Sequence, residues 1–275
     1  MSKTILFIHG AWLTPAVWKP WQQRFEALGY RTLAPAWPLL DRSVQELRET
    51  PDAQLGKLTL GRIVDHYVQI IASLPEQPIL VGHSYGGLIV QMLLDRGLGV
   101  AGVSIAPGPA AGIHPGPKAL LSALPVFLAW AGWKRALRMS FGQFAKNFGN
   151  RLRDGQQEHA FEEHIVPAPG RIYYQSVFGL GSSIHWRNEE RAPLLLLAGT
   201  EDRTVEPSMV RQNLRKYAAS TALVEMQTLP GKGHFLIAET GWEKVADSTL
   251  QWANANQRPT TSFTRPKSIA SLRGV

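Results

Sequence analysis

Short apolar segments alternate along the chain with longer segments of helical periodicity. Several short segments, such as residues 4–8 (TILFI), show no alternation of apolar and polar positions, which is typical of strands buried on both faces in a parallel sheet. Strands are predicted at residues 4–8, 31–33, 78–82, 100–105, 194–198 and 224–228. Helices are predicted at residues 18–28, 59–74, 84–96, 207–219 and 241–254. This alternation predicts an α/β fold with a mostly parallel sheet and helices on both faces.

The segment between the fourth and fifth strands breaks this rhythm. Residues 107–117 are rich in proline and glycine, and many large apolar residues follow without an intervening strand pattern. We interpret residues 107–191 as a helical cap inserted over the carboxyl edge of the sheet. The core would then comprise residues 1–106 and 192–256. Residues 257–275 are rich in Ser, Thr, Pro and Arg, which predicts a flexible tail.

Length and cysteine content narrow the classes of protein. The chain has 275 residues, a length that α/β proteins reach as one domain. It contains no cysteine, which excludes disulfides, a thiol nucleophile and thiolate metal sites, and fits a reducing compartment. The apolar stretch near the N-terminus is too short for a secretory signal, and no apolar run has the ~20 residues of a membrane span. We therefore expect a cytoplasmic protein without a membrane span.

The formal net charge of +8 adds less to the picture. It would suit an acidic partner or a membrane surface, but charge that serves solubility is the simpler interpretation. Part of the excess is local, since no acidic residue follows Asp247. No basic helix with interleaved aromatic residues occurs, so we predict no nucleic-acid partner. The oligomeric state stays open.

A candidate nucleophile lies between a predicted strand and a predicted helix, in the sequence GHSYGG. Ser84 is flanked two residues away on each side by Gly82 and Gly86, in the G-x-S-x-G pattern of a nucleophile elbow. The elbow is a strained turn, and side chains at the two glycines would collide with neighbouring strands. The serine hydroxyl would then project at the edge of the sheet, beside the N-terminus of a helix.

A candidate acid and a candidate base follow two later strands. Asp202 comes just after the strand at 194–198, with Glu201 as its rival, and His234 lies on a loop bracketed by glycines after the strand at 224–228. A carboxylate there can accept the second N–H of an imidazole and stabilise imidazolium. The order serine, acid, histidine is the order of the α/β fold that carries the elbow.

The loop after the first strand completes the candidate site. An acyl-transfer intermediate needs two N–H donors on its oxyanion. We assign them to the backbone of Tyr85, which follows the serine, and of Ala11 in the loop His9-Gly10-Ala11-Trp12. We interpret His9 as a side chain that supports this loop, because His234 better fits the general-base role.

Four motifs together resemble the α/β-hydrolase superfamily. They are the elbow GHSYGG, the loop HGAW, the acid motif GTEDRTVEP and the terminal PGKGHF. The resemblance extends from about Thr4 to Asn254 and implies an eight-stranded pattern that here lacks its first two strands. The opening HGAW…AVW is similar to a branch of small esterases, haloperoxidase-like esterases, hydroxynitrile lyases and methyl esterases. A serine at the elbow argues against dehalogenases and epoxide hydrolases, and Phe235 after the histidine argues against lyases.

The resemblance implies a serine esterase that acts on short- or medium-chain esters with an apolar acyl or aryl group, with no metal or organic cofactor. A lactonase or C–C bond hydrolase of the same fold, and a non-catalytic receptor for a small apolar ligand, remain alternatives. The small-molecule substrate would contact the cap. The candidate substrate contacts are aromatic residues of the cap and the first loop: Trp12, Trp130, Trp133, Phe141 and Phe144.

Overall fold

The fold is seen in a computed structural model that describes residues 1–153 and 155–259. The rest of the predicted tail, residues 260–275, lies outside the described residues. The strands are β1 (Thr4–Ile8), β2 (Arg31–Leu33), β3 (Ile79–His83), β4 (Ala101–Ile105), β5 (Ala136–Leu137), β6 (Ala168–Pro169), β7 (Leu194–Gly199) and β8 (Val224–Leu229). The helices are α1 (Lys19–Glu26), α2 (Val44–Glu49), α3 (Leu60–Ser73), α4 (Tyr85–Asp95), α5 (Pro117–Leu128), α6 (Phe141–Gln143), α7 (Gln156–His164), α8 (Arg171–Val177), α9 (Pro207–Tyr217) and α10 (Trp242–Asn256).

Six of the strands form one parallel sheet in the order β2-β1-β3-β4-β7-β8. The four inner strands are buried along their whole length, as their unbroken apolar runs predict, whereas β2 and β8 lie at the edges and are partly exposed. The prediction of an α/β fold with a parallel sheet and surrounding helices is confirmed. Because all six strands are parallel, their carboxyl ends lie at one edge.

The helices of the core begin and end close to their predicted positions. The α3 helix is an example: Thr59 caps it by accepting a hydrogen bond from Arg62 N at 3.2 Å. After α1, Gly29 adopts a φ of +80°, the left-handed conformation that favours glycine after a helix. Within residues 1–153 and 155–259, none of the helices combines the length and apolar character of a membrane crossing.

Residues 107–191 contain α5 to α8 and a small antiparallel pair, β5 with β6, that the sequence does not predict. This segment contacts the loops at the carboxyl edge of the sheet: Val166 N donates to Trp12 O, and Gly108 N donates to Ser84 O, both at 2.9 Å. The division of the chain into a core and a cap domain stays a prediction.

Candidate active site

The turn between β3 and α4 has the strain expected of an elbow. Ser84 has a φ of 55° and a ψ of −122°, a conformation that costs a non-glycine residue free energy. A Cβ on Gly86 would lie 2.0 Å from Ile8 O of the neighbouring strand, as expected. A Cβ on Gly82 would instead lie 2.2 Å from Gly86 O, so its main obstacle is the helix that follows rather than a neighbouring strand.

The backbone of Ser84 is held from three sides. Its N–H donates to Ile105 O at 2.9 Å, and its carbonyl accepts from Gly108 N at 2.9 Å and Leu88 N at 3.2 Å. Its side chain faces a cavity and has no hydrogen bond to any described residue. The backbone of Ser84 is therefore fixed, while its hydroxyl is not hydrogen-bonded to a neighbouring described residue.

The loops after β7 and β8 bring a carboxylate and an imidazole into contact. His234 Nδ1 donates to Asp202 Oδ2 at 2.8 Å, and both side chains are buried. The second oxygen, Oδ1, accepts the N–H groups of Thr204 and Val205, each at 2.7 Å. Glu201, the rival acid, is exposed. The carboxylate thus fixes the tautomer of His234 with Nε2 unprotonated.

The Nε2 atom of His234 is buried and has no hydrogen-bond partner among the described residues. It makes no hydrogen bond to Ser84 Oγ. The ring of Phe148, which lines the cavity together with Ser84, has its centroid 4.7 Å from that of His234. Hydrogen bonds between a nucleophile and its general base are often long without substrate and shorten when substrate binds.

Two buried side chains that the sequence analysis did not single out support the histidine. His83 Nε2 donates to His234 O at 2.8 Å, and both carboxylate oxygens of Glu239 accept Gly233 N at 3.1 Å. Burial lowers the pKa of His83 well below its ordinary value and raises the pKa of Glu239. The only sequence signals are their places beside the motifs, one residue before Ser84 and five after His234.

The loop after β1 lies against the elbow. A Cβ on Gly10 would be 2.8 Å from Ser84 Cβ, so only glycine allows this approach. Trp12 has a φ of 69°, a strained value for a tryptophan. The N–H groups of Ala11 and Tyr85 donate no hydrogen bond to a described residue. The second of these belongs to the first turn of α4, where N–H groups lack helical acceptors.

His9 supports this loop from below. Its Nδ1 donates to Gly10 O at 2.9 Å, its Nε2 accepts Trp37 N at 3.1 Å, and its ring stacks on Trp37. Complete burial lowers the pKa of His9 to about 4, so the ring is neutral at pH 7. These contacts support the structural interpretation of His9.

The hydroxyl of Ser84 opens on a cavity of about 180 Å³ between the sheet edge and residues 107–191. Its wall is mostly apolar, and among the described residues Arg138 is the only charged one that lines it. The apolar and aromatic part of the lining includes Trp12, Tyr85, Val126, Phe148, Tyr173 and Met209.

Among the five aromatic residues expected to contact substrate, only Trp12 lines this cavity. Trp130 and Trp133 are 88% and 45% exposed on the surface, and neither lines the cavity. Phe141 packs against Phe161, and Phe144 is fully buried against other phenylalanine rings. Phe148 and Tyr173 line it instead, although their sequence context does not distinguish them from the other cap aromatics.

Comparisons with known proteins agree with the fold. A model of the alpha/beta hydrolase family matches residues 5–248. None of the curated protein sequences compared with this chain matches it. Among solved structures, a monoacylglycerol lipase of Paleococcus ferrophilus is similar, with 19% identity, a TM-score of 0.65 and coverage of 92% of this chain and 94% of the lipase.

Two further structures have similar values. A pyrethroid hydrolase from Sphingobium faniae JZ-2 has 19% identity and a TM-score of 0.68 over 93% of this chain and 98% of its own. A methylesterase from Arabidopsis has 14% identity and a TM-score of 0.65 over 92% of this chain and 99% of its own.

Proposed function

The chain belongs to the alpha/beta hydrolase family, and from that premise we propose that it is a serine hydrolase that cleaves neutral carboxylic esters through an acyl-enzyme on Ser84. The observation that carries this proposal is the hydroxyl of Ser84, which is held by a strained turn and faces an apolar cavity. Phe148 of the same cavity packs on the ring of His234, and His234 is paired with Asp202.

The nucleophile and the base divide the proton transfers between them. Ser84 Oγ attacks the ester carbonyl carbon while its proton passes to His234 Nε2. The imidazolium returns this proton to the departing alkoxide, which leaves as the alcohol. Water then loses a proton to the same nitrogen and attacks the acyl-enzyme, which frees the acid and restores Ser84. Asp202 stabilises the imidazolium in both halves of the cycle.

The oxyanion of each tetrahedral intermediate needs donors that are not already used. The N–H groups of Ala11 and Tyr85 meet this condition, and the contact of Gly10 with Ser84 brings the first loop to the nucleophile. Donors of this kind are each worth about 3 kcal/mol of barrier. These contacts support their assignment to the oxyanion hole.

The cavity supports a neutral substrate with a short or medium acyl chain. Its volume of about 180 Å³ is below the ~300–1,000 Å³ of pockets that enclose larger ligands. The part of the chain that the structure describes contributes no carboxylate to its lining, and its apolar wall favours an alkyl or aryl group through burial of apolar area. The similar solved structures, whose names describe a lipase, a hydrolase and a methylesterase, are consistent with this substrate class.

Turnover of p-nitrophenyl butyrate tests the proposal. We expect kcat to fall about 10⁴-fold in Ser84→Ala and by a similar factor in Asp202→Asn, which keeps the shape of the acid but removes its charge. Ser122→Ala, which removes another hydroxyl from the same cavity, is the matched control and should keep most of its turnover.

A fluorophosphonate probe distinguishes an enzyme from a receptor. It should label the wild type and Ser122→Ala covalently and leave Ser84→Ala unlabelled. Undiminished ester turnover in Ser84→Ala would contradict the proposal. If labelling at Ser84 occurs without ester turnover, assays with lactones and β-diketones identify the two other reactions that the same machinery can perform.

A further inference from the structure

Exposed large apolar side chains are concentrated in one part of the chain. Ten of the thirteen such side chains among the described residues lie within residues 120–180. Exposed apolar side chains scattered singly are ordinary, whereas a concentration marks an interaction surface. The three outside this stretch are Met1, Leu28 and Leu223.

The α5 helix carries the centre of this concentration. It is apolar almost all round, with Lys118 as its only charged residue, a composition typical of a buried helix. Its outer face is nevertheless open, because four leucines that fall within about 100° of the helical wheel are 44–75% exposed. They are Leu120, Leu121, Leu124 and Leu128.

Residues after α5 and at the end of α8 extend this surface. Trp130 and Trp133 follow α5, and Val177 and Phe178 end α8, with exposures of 51% and 68% for the last two. Tyr174 joins the two segments: its hydroxyl donates to Val126 O at 3.3 Å, and its ring contacts Phe127 and Trp133. We call the four leucines with Trp130, Trp133, Val177 and Phe178 the cap face.

The segment that carries six of the eight cap-face residues is basic in composition. Residues 107–153 include seven lysines and arginines and no acidic residue. Two arginine side chains donate hydrogen bonds to the backbone carbonyls of the exposed tryptophans. Arg135 donates to Trp130 O at 3.4 Å, and Arg171 donates to Trp133 O at 3.3 Å. The carboxylate of Glu206 accepts a hydrogen bond from Ala119 N at the start of α5.

The mouth of the Ser84 cavity opens on the same surface. Leu120 and Val177 line the cavity and are each about half exposed, so they form part of its rim. Arg138 lines the cavity and is exposed as well. A layer of apolar material lying on the cap face would therefore be in direct contact with the route to Ser84.

We propose that the cap face docks on the surface of an anionic lipid membrane. Leucine side chains would enter the acyl boundary, the two tryptophans would lie at headgroup depth, and the flanking lysines and arginines would attract acidic headgroups. A second copy of the chain fits less well, because a symmetric contact would bring two basic rims together. Delivery of ester from the lipid to Ser84 is a consequence that rests on the proposed function, whereas the docking itself does not.

Vesicle flotation tests the docking without turnover. The protein is Ser84→Ala, mixed with vesicles of phosphatidylcholine alone or with about 30 mol % phosphatidylglycerol. We expect binding to the anionic vesicles that weakens as salt is raised and little binding to the neutral ones. Trp130→Ser should weaken it about tenfold and Lys134→Glu about fivefold or more.

Matched controls lie elsewhere on the surface. Leu28→Ser removes an apolar side chain that is 57% exposed, and Lys244→Glu reverses an exposed charge on α10; neither should change binding more than about twofold. Circular dichroism checks that every variant is folded. Absence of binding to anionic vesicles, or equal loss in the controls, overturns the proposal. So does a dimer in sedimentation that Trp130→Ser abolishes, since the cap face would then be an interface between copies. Because no ester is cleaved, failure here is separate from failure of the proposed function.

Discussion

Two regions lie on opposite sides of one cavity and are held in different ways: the turn at Ser84, and residues 107–191, which we call the cap segment. The turn is fixed by backbone groups close at hand, with Gly82 against Gly86 O and Gly86 against Ile8 O. The cap segment is attached by backbone hydrogen bonds, such as that from Val166 N to Trp12 O, and in addition by side chains that reach it from distant parts of the chain. Arg48, for example, donates to Ile165 O at 2.7 Å.

This difference separates the part of the site that performs the chemistry from the part that selects the substrate. The two glycines that flank Ser84 lie against backbone atoms, so a side chain added at either one must move a strand or a helix. The cap wall consists mostly of apolar side chains around an open volume. A change of side-chain size there alters the space for a ligand and leaves the sheet untouched.

Gly86→Ala tests the difference between the two regions with the largest expected effect, which is on the free energy of unfolding. Its Cβ would lie 2.0 Å from Ile8 O, so β1 and α4 would have to separate, at a cost of at least about 3 kcal/mol in the free energy of unfolding. Urea unfolding measures this cost. Gly142→Ala in the cap is the control, since a Cβ there meets no atom of residues 1–153 and 155–259 within 4 Å. Its stability should stay within about 0.5 kcal/mol of the wild type. Equal midpoints for wild type and Gly86→Ala would show that the turn is as tolerant as the cap.

His9, which lies on the same side of the cavity as Gly86, should have a smaller effect, and this effect is on how the free energy of unfolding depends on pH. Its pKa is about 4 in the folded protein and about 6.5 when unfolded, so the unfolded chain takes up the proton first as the pH falls. Stability from the neutral ring is therefore present above pH 6.5 and lost towards pH 4, by about 2 kcal/mol between pH 7 and pH 5.

His9→Gln keeps an acceptor for Trp37 N and removes this titration. The loss of unfolding free energy between pH 7 and pH 5 should be smaller than in the wild type by about 2 kcal/mol, measured by urea unfolding at both values. His114→Gln, which replaces an exposed histidine, controls for removal of one imidazole. An unchanged pH dependence in His9→Gln would mean that the ring is protonated in the folded state.

Ala123→Phe tests the cap side of the cavity and has the smallest expected effect, which is on the selectivity for acyl chain length. Ala123 lines the cavity, so a phenyl group there takes up volume needed by a longer acyl chain. We expect kcat/KM for p-nitrophenyl octanoate to fall about tenfold relative to the acetate, with stability little changed. Leu121→Phe, on the exposed side of α5, and Phe141→Leu, outside the cavity, should keep the wild-type ratio. An equal ratio of kcat/KM for octanoate and acetate in all variants would mean that the acyl group does not bind beside Ala123.

The strands and the pairing of Asp202 with His234 could be predicted because their signals are local. An unbroken apolar run such as residues 4–8 is itself the signature of a strand buried on both faces, and a motif at the carboxyl end of a parallel strand is carried to the shared edge by the topology. The hydrogen bond between the two side chains agrees with the order in which they follow β7 and β8.

The cavity lining could not be predicted, for a physical reason. Tryptophan and phenylalanine have the same apolar character whether they face a ligand, the core or solvent, and only long-range packing decides among these. Phe144 is buried beside Phe148, which lines the cavity, and Trp130 lies on the surface. The supports of His234 were missed for a related reason, since the bonds of His83 and Glu239 to backbone groups follow no side-chain pattern.

The direct pairing of β4 with β7 has a consequence for chain entropy. These neighbours are separated by about 90 residues, so the whole cap segment is a loop whose two ends meet at adjacent strands. The entropic cost of closing a loop rises only with the logarithm of its length, by about 0.6 kcal/mol for each doubling. Insertions and deletions in this loop therefore cost the sheet little, and the walls of the cavity can be remodelled in length as well as in sequence while the turn around Ser84 keeps its geometry.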